Sequence, residues 1–384
     1  MRITTRLAPA YAAAALAFAT SAHAQSSVTL YGLVDAGVAY VRTNTGNQFS
    51  QLSGALHGDR WGMRGTEDLG GGLSAIFDLE NGFNIATGAL NQGGREFGRQ
   101  AFVGLSSRSL GTLTLGRQYD PVVDLVQGAT ADLIYGGTFG TPGDIDNYDN
   151  NARINNAVKY KSPTYRGLTF EALYGFSGTA GAPGQGQSWG SALQYASGPV
   201  TLAAGYFYSS NASSNNAVRT AWNAPTADSF FKSPINDGYQ SASAMAIARA
   251  SGSYVIGSVT LGASYSNVQY KHDAQSLFHS GEHVNAANFY VSDRITRSTS
   301  VGVGYTFTKA SGDTSATYHQ ANIGVLYDLS RSTTLYALGG YQHASGQQRT
   351  ASGGIREAEA SIGSLGIAGG TSQELAIVGV LHRF

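Results

Sequence analysis

The sequence predicts an all-β fold, a 16-stranded antiparallel transmembrane β-barrel. Three observations lead to this prediction. Apolar residues alternate with small or polar ones over stretches longer than the mean soluble strand of about 5–6 residues. Short and long connections alternate along the chain. The composition has 51 glycines, 22 tyrosines and only 12% charged residues, which is about half the charged share of soluble domains.

The first 24 residues have the features of a secretory signal peptide. A basic start is followed by a short apolar stretch, and Ala22-His23-Ala24 is a small-residue cleavage site. We therefore expect the mature chain to start at Gln25, with the barrel formed by residues 25–384.

The mature chain is expected to be nearly neutral. The whole sequence has 24 basic and 24 acidic residues, and loss of Arg2 and Arg6 with the signal peptide leaves 24 − 2 = 22 basic residues and a formal charge of −2. This balance gives no reason to expect nucleic-acid binding. The chain has no cysteine, so an exported protein must be stable without disulfides.

Each predicted strand has one apolar face and one small or polar face. Residues 168–176 and 301–307 show this alternation most clearly, and a lipid-facing exterior around a wet interior produces it. The last strand, 376–384, ends in an aromatic residue and must pair with the first strand, because lipid cannot satisfy an open sheet edge.

Seven short turns and eight long loops join the predicted strands. The short turns are 68–72, 107–111, 163–167, 197–199, 257–258, 293–297 and 329–332. The long loops are roughly 43–51, 84–96, 120–155, 178–188, 210–240, 272–284, 309–317 and 344–372. In bacterial outer-membrane barrels the short turns are periplasmic. Sixteen strands leave room for an aqueous channel.

The longest connection, Asp120–Asn155, is also acidic, with six aspartates and one arginine, Arg153. A loop of this length is uncommon unless it has a function. We hypothesise that it folds into the barrel and narrows the lumen. Loop 210–240 is nearly as long, but we expect it to stay outside and cover the outer mouth.

Fixed charges on the lumen wall would select ions, with arginine and lysine favouring anions. Strand parity places Arg60, Arg64, Lys159 and Lys161 inward. Arg117 shares the parity of lipid-facing leucines, so we expect it at a rim. The candidate basic residues are Arg60, Arg64, Arg99, Arg117, Arg153, Lys159 and Lys161.

Acidic candidates come from the first half of the long loop. Asp120, Asp124 and Asp132 are expected to face the basic wall. The later aspartates, in GDIDNYDNN (143–151), are expected to hold turns, with pairing to the wall as the alternative. This stretch lacks the glycine and glutamate of a calcium loop, and the three histidines of loop 272–284 have no helical pattern. We predict no metal and no cofactor.

Several segments resemble the general porins of Neisseria and of Burkholderia-type β-proteobacteria. They are SSVTLYGLVDAGVAYV near the start, RWGMRGTEDLGGGLSAIFDLENGF (60–83), GRQAFVGLSS (98–107), GTLTLGRQYDP (111–121), NNAVKYKSPTYRGLTFEALYGF (155–176) and VGVLHRF (378–384). The resemblance implies a homotrimer in the outer membrane, in contact with lipid and lipopolysaccharide. It also implies an inward third loop and passive diffusion of small hydrophilic solutes, often with a preference for anions.

The same resemblance assigns roles to single residues. It implies that Arg60, Arg99 and Arg153 form the basic cluster of the family. It also implies that the terminal Phe384 is the signal read by the barrel-assembly machinery of the outer membrane.

The alternative functions for such a barrel are a substrate-specific channel and an enzyme. A substrate-specific channel for a sugar or organic anion would use Tyr31, Phe207 and Tyr336 as stacking surfaces on lumen faces. A barrel enzyme would need a nucleophile with an aligned base, and the histidines on predicted strands have no companion motif. The sequence therefore predicts a channel and no enzyme.

Overall fold

The computed structural model describes residues 27–181, 184–212, 218–222 and 230–384. The expected signal peptide and its cleavage site lie outside the described residues. In the described part, no helix is long and apolar enough to cross a membrane.

Antiparallel strands dominate the fold, and each pairs with its neighbours in one continuous sheet. The strands are β1 (Ser27–Thr43), β2 (Gly46–Ser53), β3 (Arg60–Gly70), β4 (Leu73–Gly82), β5 (Gln100–Ser107), β6 (Gly111–Gln118), β7 (Ile154–Lys161), β8 (Leu168–Gly175), β9 (Ser188–Ser197), β10 (Val200–Ser210), β11 (Ala244–Ile256), β12 (Val259–Lys271), β13 (Glu282–Asp293), β14 (Thr299–Ser311), β15 (Ser315–Asp328), β16 (Thr333–Arg349), β17 (Ile355–Glu357) and β18 (Ser372–Arg383).

The sheet closes on itself, as predicted. β1 pairs with β18, with Val38 opposite Val378. Residues 36–43 of β1 pair with β2, and residues 27–33 of β1 pair with β3. β2 and β3 are therefore two parts of one barrel strand. β17 is a short addition to the end of β16. The closed barrel therefore has sixteen strands.

The barrel wall alternates as the sequence predicts. On β6, Leu113 and Leu115 are about half exposed on the outside, whereas Thr114 between them is buried. Many other large apolar side chains, such as Leu202 and Phe289, are exposed on the outer surface. An apolar outer band of this kind suits lipid rather than water.

All seven predicted short turns are present, but two predicted long loops are not. Residues 43–51 form a tight hairpin between β1 and β2, and β14 and β15 are separated by three residues, 312–314. Near these hairpins the strands carry mostly polar residues, such as Gln48, Ser50 and Lys309, although Phe49 is exposed there. The apolar alternation that marks a strand in the sequence is therefore missing there.

The connection between β6 and β7, residues 119–153, lies inside the barrel, which confirms the inward third loop. We call it the inner loop. It contains two helices, α1 (Pro121–Val126) and α2 (Asp132–Tyr135), and three 3-10 turns, Gln127–Ala129, Gly136–Phe139 and Pro142–Asp144. A further 3-10 turn, Asp237–Tyr239, lies in the loop before β11.

Apolar side chains fix the inner loop to the wall. Val122 and Leu125 of α1 are buried in a cluster with Phe207 of β10. Tyr135 of α2 lies so close to β14 and β15 that a Cβ at Gly302 or Gly324 would overlap its ring. The inner loop therefore packs against β8–β16 and leaves the β1–β5 wall open.

Two more loops enter the lumen. Phe230, from loop 210–240, stacks on Phe207 at 5.6 Å between ring centroids. The segment 358–367 also lies inside, where the carbonyl of Ser361 accepts a hydrogen bond from Gly143 N at 3.0 Å. The expectation that loop 210–240 stays outside is wrong for its described end. The cause is a long-range aromatic contact, which local composition does not reveal.

Candidate functional site

A polar cavity of about 500 Å³ lies between the open wall and the inner loop. We call it the central cavity. Its charged lining residues are Arg60, Arg99, Arg153, Lys232, Arg383, Asp59, Asp132 and Asp149. Basic groups outnumber acidic ones in this lining, and the three arginines that the family resemblance singled out are all present.

Arg99 reaches the lumen although its parity matches that of lipid-facing residues. It lies just before β5, and its stem passes over Gly82, where a Cβ would come within 2.9 Å of Arg99 Cγ. Its Nε donates to Glu80 Oε1 at 2.6 Å. A glycine on the neighbouring strand thus gives Arg99 the room to turn inward.

Tyr119 joins two of the arginines. Its hydroxyl oxygen accepts hydrogen bonds from Arg99 at 2.7 Å and from Arg153 at 3.1 Å. The guanidinium of Arg153 also lies 4.9 Å from the centroid of the Tyr119 ring, an attractive cation–π geometry. Burial lowers the pKa of Arg153, yet an arginine stays protonated at neutral pH.

Arg60 is positioned by an interruption of the barrel wall. Between β2 and β3 the chain leaves the sheet over residues 54–59, and the Asp35 carboxylate accepts the backbone N–H groups of Leu56 and His57, both at 2.7 Å. Arg60 resumes the sheet, and its Nε donates to the carbonyl of Gly58 at 2.9 Å. Asp35 therefore positions the segment that precedes Arg60.

Four predicted basic residues do not line the central cavity. Arg64 is exposed over the ring of Tyr31 at 5.1 Å. Lys159 is ion-paired with Asp124, and Lys161 pairs with Glu171 at 3.1 Å.

The fourth, Arg117, is buried instead of lying at a rim. Its Nε donates to the carbonyl of Gly98 at 2.8 Å. The strand register shifts between Gly116 and Gln118, and parity counting fails at such an irregularity.

The three predicted acidic residues have different surroundings. Asp120 caps α1 by accepting from Val122 N at 2.8 Å, which is a common helix-capping contact. Asp124 reaches the basic wall through Lys159. Asp132 lines the central cavity but accepts from Gln127 Nε2 at 2.5 Å within its own loop.

The later aspartates divide into two groups. Asp144 holds a turn, as predicted, by accepting from Asp149 N at 2.8 Å and from Asn151 Nδ2 at 2.6 Å. Asp146 accepts from Thr141 Oγ1 at 2.5 Å. Asp149 does not fit the turn prediction, because its side chain lines the central cavity and accepts a hydrogen bond from Ser364.

Burial alters the ionisation of the two cavity-lining aspartates of the inner loop. Desolvation raises the pKa of Asp132 to about 8, and the nearby Asp149 charge acts in the same direction. Desolvation also raises the pKa of Asp149 to about 6, although Ser364 and the arginines Arg99, Arg153 and Arg60 oppose the change. Both carboxyl groups therefore titrate near neutral pH.

Several site residues were missed in the sequence. Glu80 could have been found, since it shares an inward face with Asp78 between lipid-facing residues. Arg383 likewise continues the inward face of Leu381. Lys232 and Tyr119 lie at irregular positions where no periodic signal exists.

The three aromatic residues that a substrate-specific channel would use as stacking surfaces are already engaged. Phe207 is covered by Phe230. Tyr336 is buried and donates to Asp35 at 2.6 Å. Tyr31 donates to Asp78 at 2.8 Å. The Phe207 ring and the hydroxyl groups of Tyr31 and Tyr336 therefore each have a protein partner.

Comparison with known proteins gives a consistent result. Residues 10–347 match a family model described as Gram-negative porin. An outer membrane porin protein of Bordetella pertussis is 38% identical over 236 residues, which are 54% of this chain and 60% of that protein. Outer membrane porin protein 32 of Delftia acidovorans is 34% identical over 208 residues, 50% of this chain and 57% of that protein. The chain thus spans under two thirds of each relative.

Solved structures share the fold. The anion-selective porin from Comamonas acidovorans has a TM-score of 0.70 at 24% identity, covering 94% of this chain and 100% of that one. OmpT of Vibrio cholerae, in a trimer form, has a TM-score of 0.65 at 15% identity, covering 94% and 99%. The chain therefore belongs to the Gram-negative porin family of outer-membrane β-barrels.

Proposed function

We propose that the chain forms a water-filled channel for passive diffusion of small hydrophilic solutes and ions, with a preference for anions. The observation that carries this proposal is that Arg60, Arg99 and Arg153 all line the central cavity. Fixed positive charges in a narrow, low-dielectric opening raise the local concentration of anions.

The acidic groups of the central cavity offset this charge only in part. Glu80 is engaged with Arg99. Because the pKa of Asp132 is raised to about 8, this group is largely neutral at pH 7. The remaining acidic residues of the lining, Asp59 and Asp149, are outnumbered by its five basic side chains, which dominate the charge that a passing ion meets.

The test is the reversal potential of the channel in a planar bilayer with a salt gradient. At low salt we expect the reversal potential to have the sign that an anion-selective pore gives. Replacing Arg60→Ala and Arg99→Ala together should reduce that preference, whereas Arg108→Ala, in the exposed short turn between β5 and β6, should not. A cation-selective wild-type channel would overturn the proposed selectivity, and a folded protein without conductance would overturn the channel itself.

We further propose that the protein works as a homotrimer. The trimer form of OmpT, which shares this fold, supports the proposal. Conductance in steps of three, together with the mass of the detergent-solubilised complex, tests it. A monomeric mass with single conductance steps would contradict the trimer.

We propose no catalytic role for this barrel. Support comes from the porin names of its relatives. Covalent labelling of the folded protein by a serine- or histidine-directed probe would contradict this proposal.

A further inference from the structure

A second cavity, of about 560 Å³, lies at the short-turn end of the barrel, below the inner loop. We call it the exit cavity. Its lining includes four arginines, Arg294, Arg297, Arg331 and Arg383. Leu56, Ile134 and Leu326 form an apolar part of the same lining. The exit cavity thus combines guanidinium groups with an apolar surface.

Strand parity explains why two of these arginines face the lumen. Ser292 is buried on the inner face of β13, and Arg294 follows two residues later. Leu381 is buried on the inner face of β18, and Arg383 follows in the same way. Successive side chains on one strand face lie two residues apart, so both arginines continue inward faces. Arg297 and Arg331 lie in the adjoining short turns.

The positive charge of the exit cavity is poorly balanced. Asp328 is the only carboxylate among its described lining residues. It lies 3.6 Å from Arg294 and also accepts from Thr334 at 2.8 Å. Within the described part of the chain, the guanidinium groups of Arg297, Arg331 and Arg383 form no ion pair. They remain available to an incoming anion.

The apolar lining makes the exit cavity different from a simple anion site. Leu56 is buried in the segment between β2 and β3, Ile134 belongs to α2, and Leu326 is on β15. Three separate elements thus converge to form this surface. Binding pockets of this kind accept an apolar body while a few polar groups fix its orientation.

The two cavities share part of their lining. Leu56, His57 and Arg383 line both the central cavity and the exit cavity. A solute that passes the central arginines would therefore meet Arg383 before it reaches the short-turn end.

We propose that the exit cavity is a binding site for aromatic carboxylates, whose ring contacts the apolar lining and whose carboxylate contacts the arginines. A guanidinium fork matches the two oxygens of a carboxylate. This inference names a solute class and rests on the proposed channel only for the route of access. Binding itself can be measured without conduction.

The test is calorimetric titration of benzoate into the folded, full-length protein in detergent, with acetate as the comparison ligand and empty micelles as the blank. We expect benzoate to bind more tightly than acetate. The double variant Arg297→Gln and Arg331→Gln should weaken benzoate binding by at least about tenfold. The matched variant Arg108→Gln and Arg166→Gln, in other short turns, should leave it unchanged.

Two further variants separate the parts of the proposal. Leu326→Ala should weaken benzoate binding but not acetate binding. Arg60→Ala with Arg99→Ala, in the central cavity, should leave benzoate binding in place. Equal affinity for benzoate and acetate, or full benzoate affinity in the Arg297 and Arg331 double variant, would overturn the inference. Loss of conductance with benzoate binding intact would overturn only the channel proposal.

Discussion

Arg99 donates a hydrogen bond from its Nε to Oε1 of Glu80 at 2.6 Å, and the two residues are only 5% and 4% exposed. A buried arginine needs such a partner, because an unpaired buried charge is costly. Glu80 thus holds Arg99 in the central cavity and lowers the local positive charge at the same time. This one pair therefore determines both the position of Arg99 and the net charge beside it.

The variant Glu80→Gln separates these two effects. The amide oxygen can still accept from Arg99, but one negative charge is lost. We expect a stronger anion preference in the reversal potential and a loss of about 1–3 kcal/mol in the free energy of unfolding. Glu374→Gln, in an exposed pair with Arg42, is the control and should change neither. An unaltered reversal potential for Glu80→Gln would contradict the role of this pair.

Anion preference should depend on pH through the inner loop. The pKa of Asp149 is about 6 and that of Asp132 about 8. Each carboxyl group is neutral below its pKa and negative above it, so rising pH adds negative charge to the central cavity. We expect anion preference to be highest in acid and to fall as pH rises through 6 and then through 8.

Reversal potentials measured across this pH range check the prediction. Asp132→Asn should remove the fall at higher pH and leave the one near pH 6. Asp68→Asn, an exposed residue near the end of β3, should leave the whole profile unchanged. A preference for anions that stays constant or grows with pH would show that these carboxyl groups do not act on the passing ion.

The barrel could be predicted from the sequence because lipid contact imposes a local, period-two pattern on each strand. The same reasoning placed Arg60 inward. It failed at Arg117, where a register shift interrupts the period. The separate turn prediction failed at Asp149, whose role depends on contact with Ser364, 215 residues away. Such contacts between loops leave no periodic signal in the sequence. The resemblance to the porin family pointed to Arg99 and Arg153 as site residues. Only the structure shows how Gly82 and Tyr119 position them.

The segment 358–367 should limit the current through the barrel. It is held inside the lumen by the Ser364–Asp149 hydrogen bond and by the bond from Gly143 N to Ser361 O. Deleting residues 360–366 should raise single-channel conductance by about twofold, since the opening becomes wider. Ser364→Ala should increase fluctuations of the open current.

Ser352→Ala is a suitable control for the loop variants. Ser352 lies in the exposed turn between β16 and β17, where its hydroxyl group is hydrogen-bonded to that of Thr350. The conductance of the Ser352→Ala variant should equal that of the unmodified protein. If the 360–366 deletion also conducts like the unmodified protein, the segment does not restrict the channel.

The terminal Phe384 should matter more for assembly than for the stability of the finished barrel. Its backbone forms two hydrogen bonds with Gly32 of β1, both at 3.0 Å, and these survive in Phe384→Ala. Its ring is 57% exposed, so its removal costs little packing. We therefore expect Phe384→Ala to reduce the amount of protein in the outer membrane by roughly several-fold, while refolding in detergent stays efficient.

Val380→Ala, which changes an exposed residue on the same strand, is the control. Immunoblots of outer-membrane fractions measure the difference, and equal amounts of the Phe384 and Val380 variants would contradict a role for Phe384 as an assembly signal.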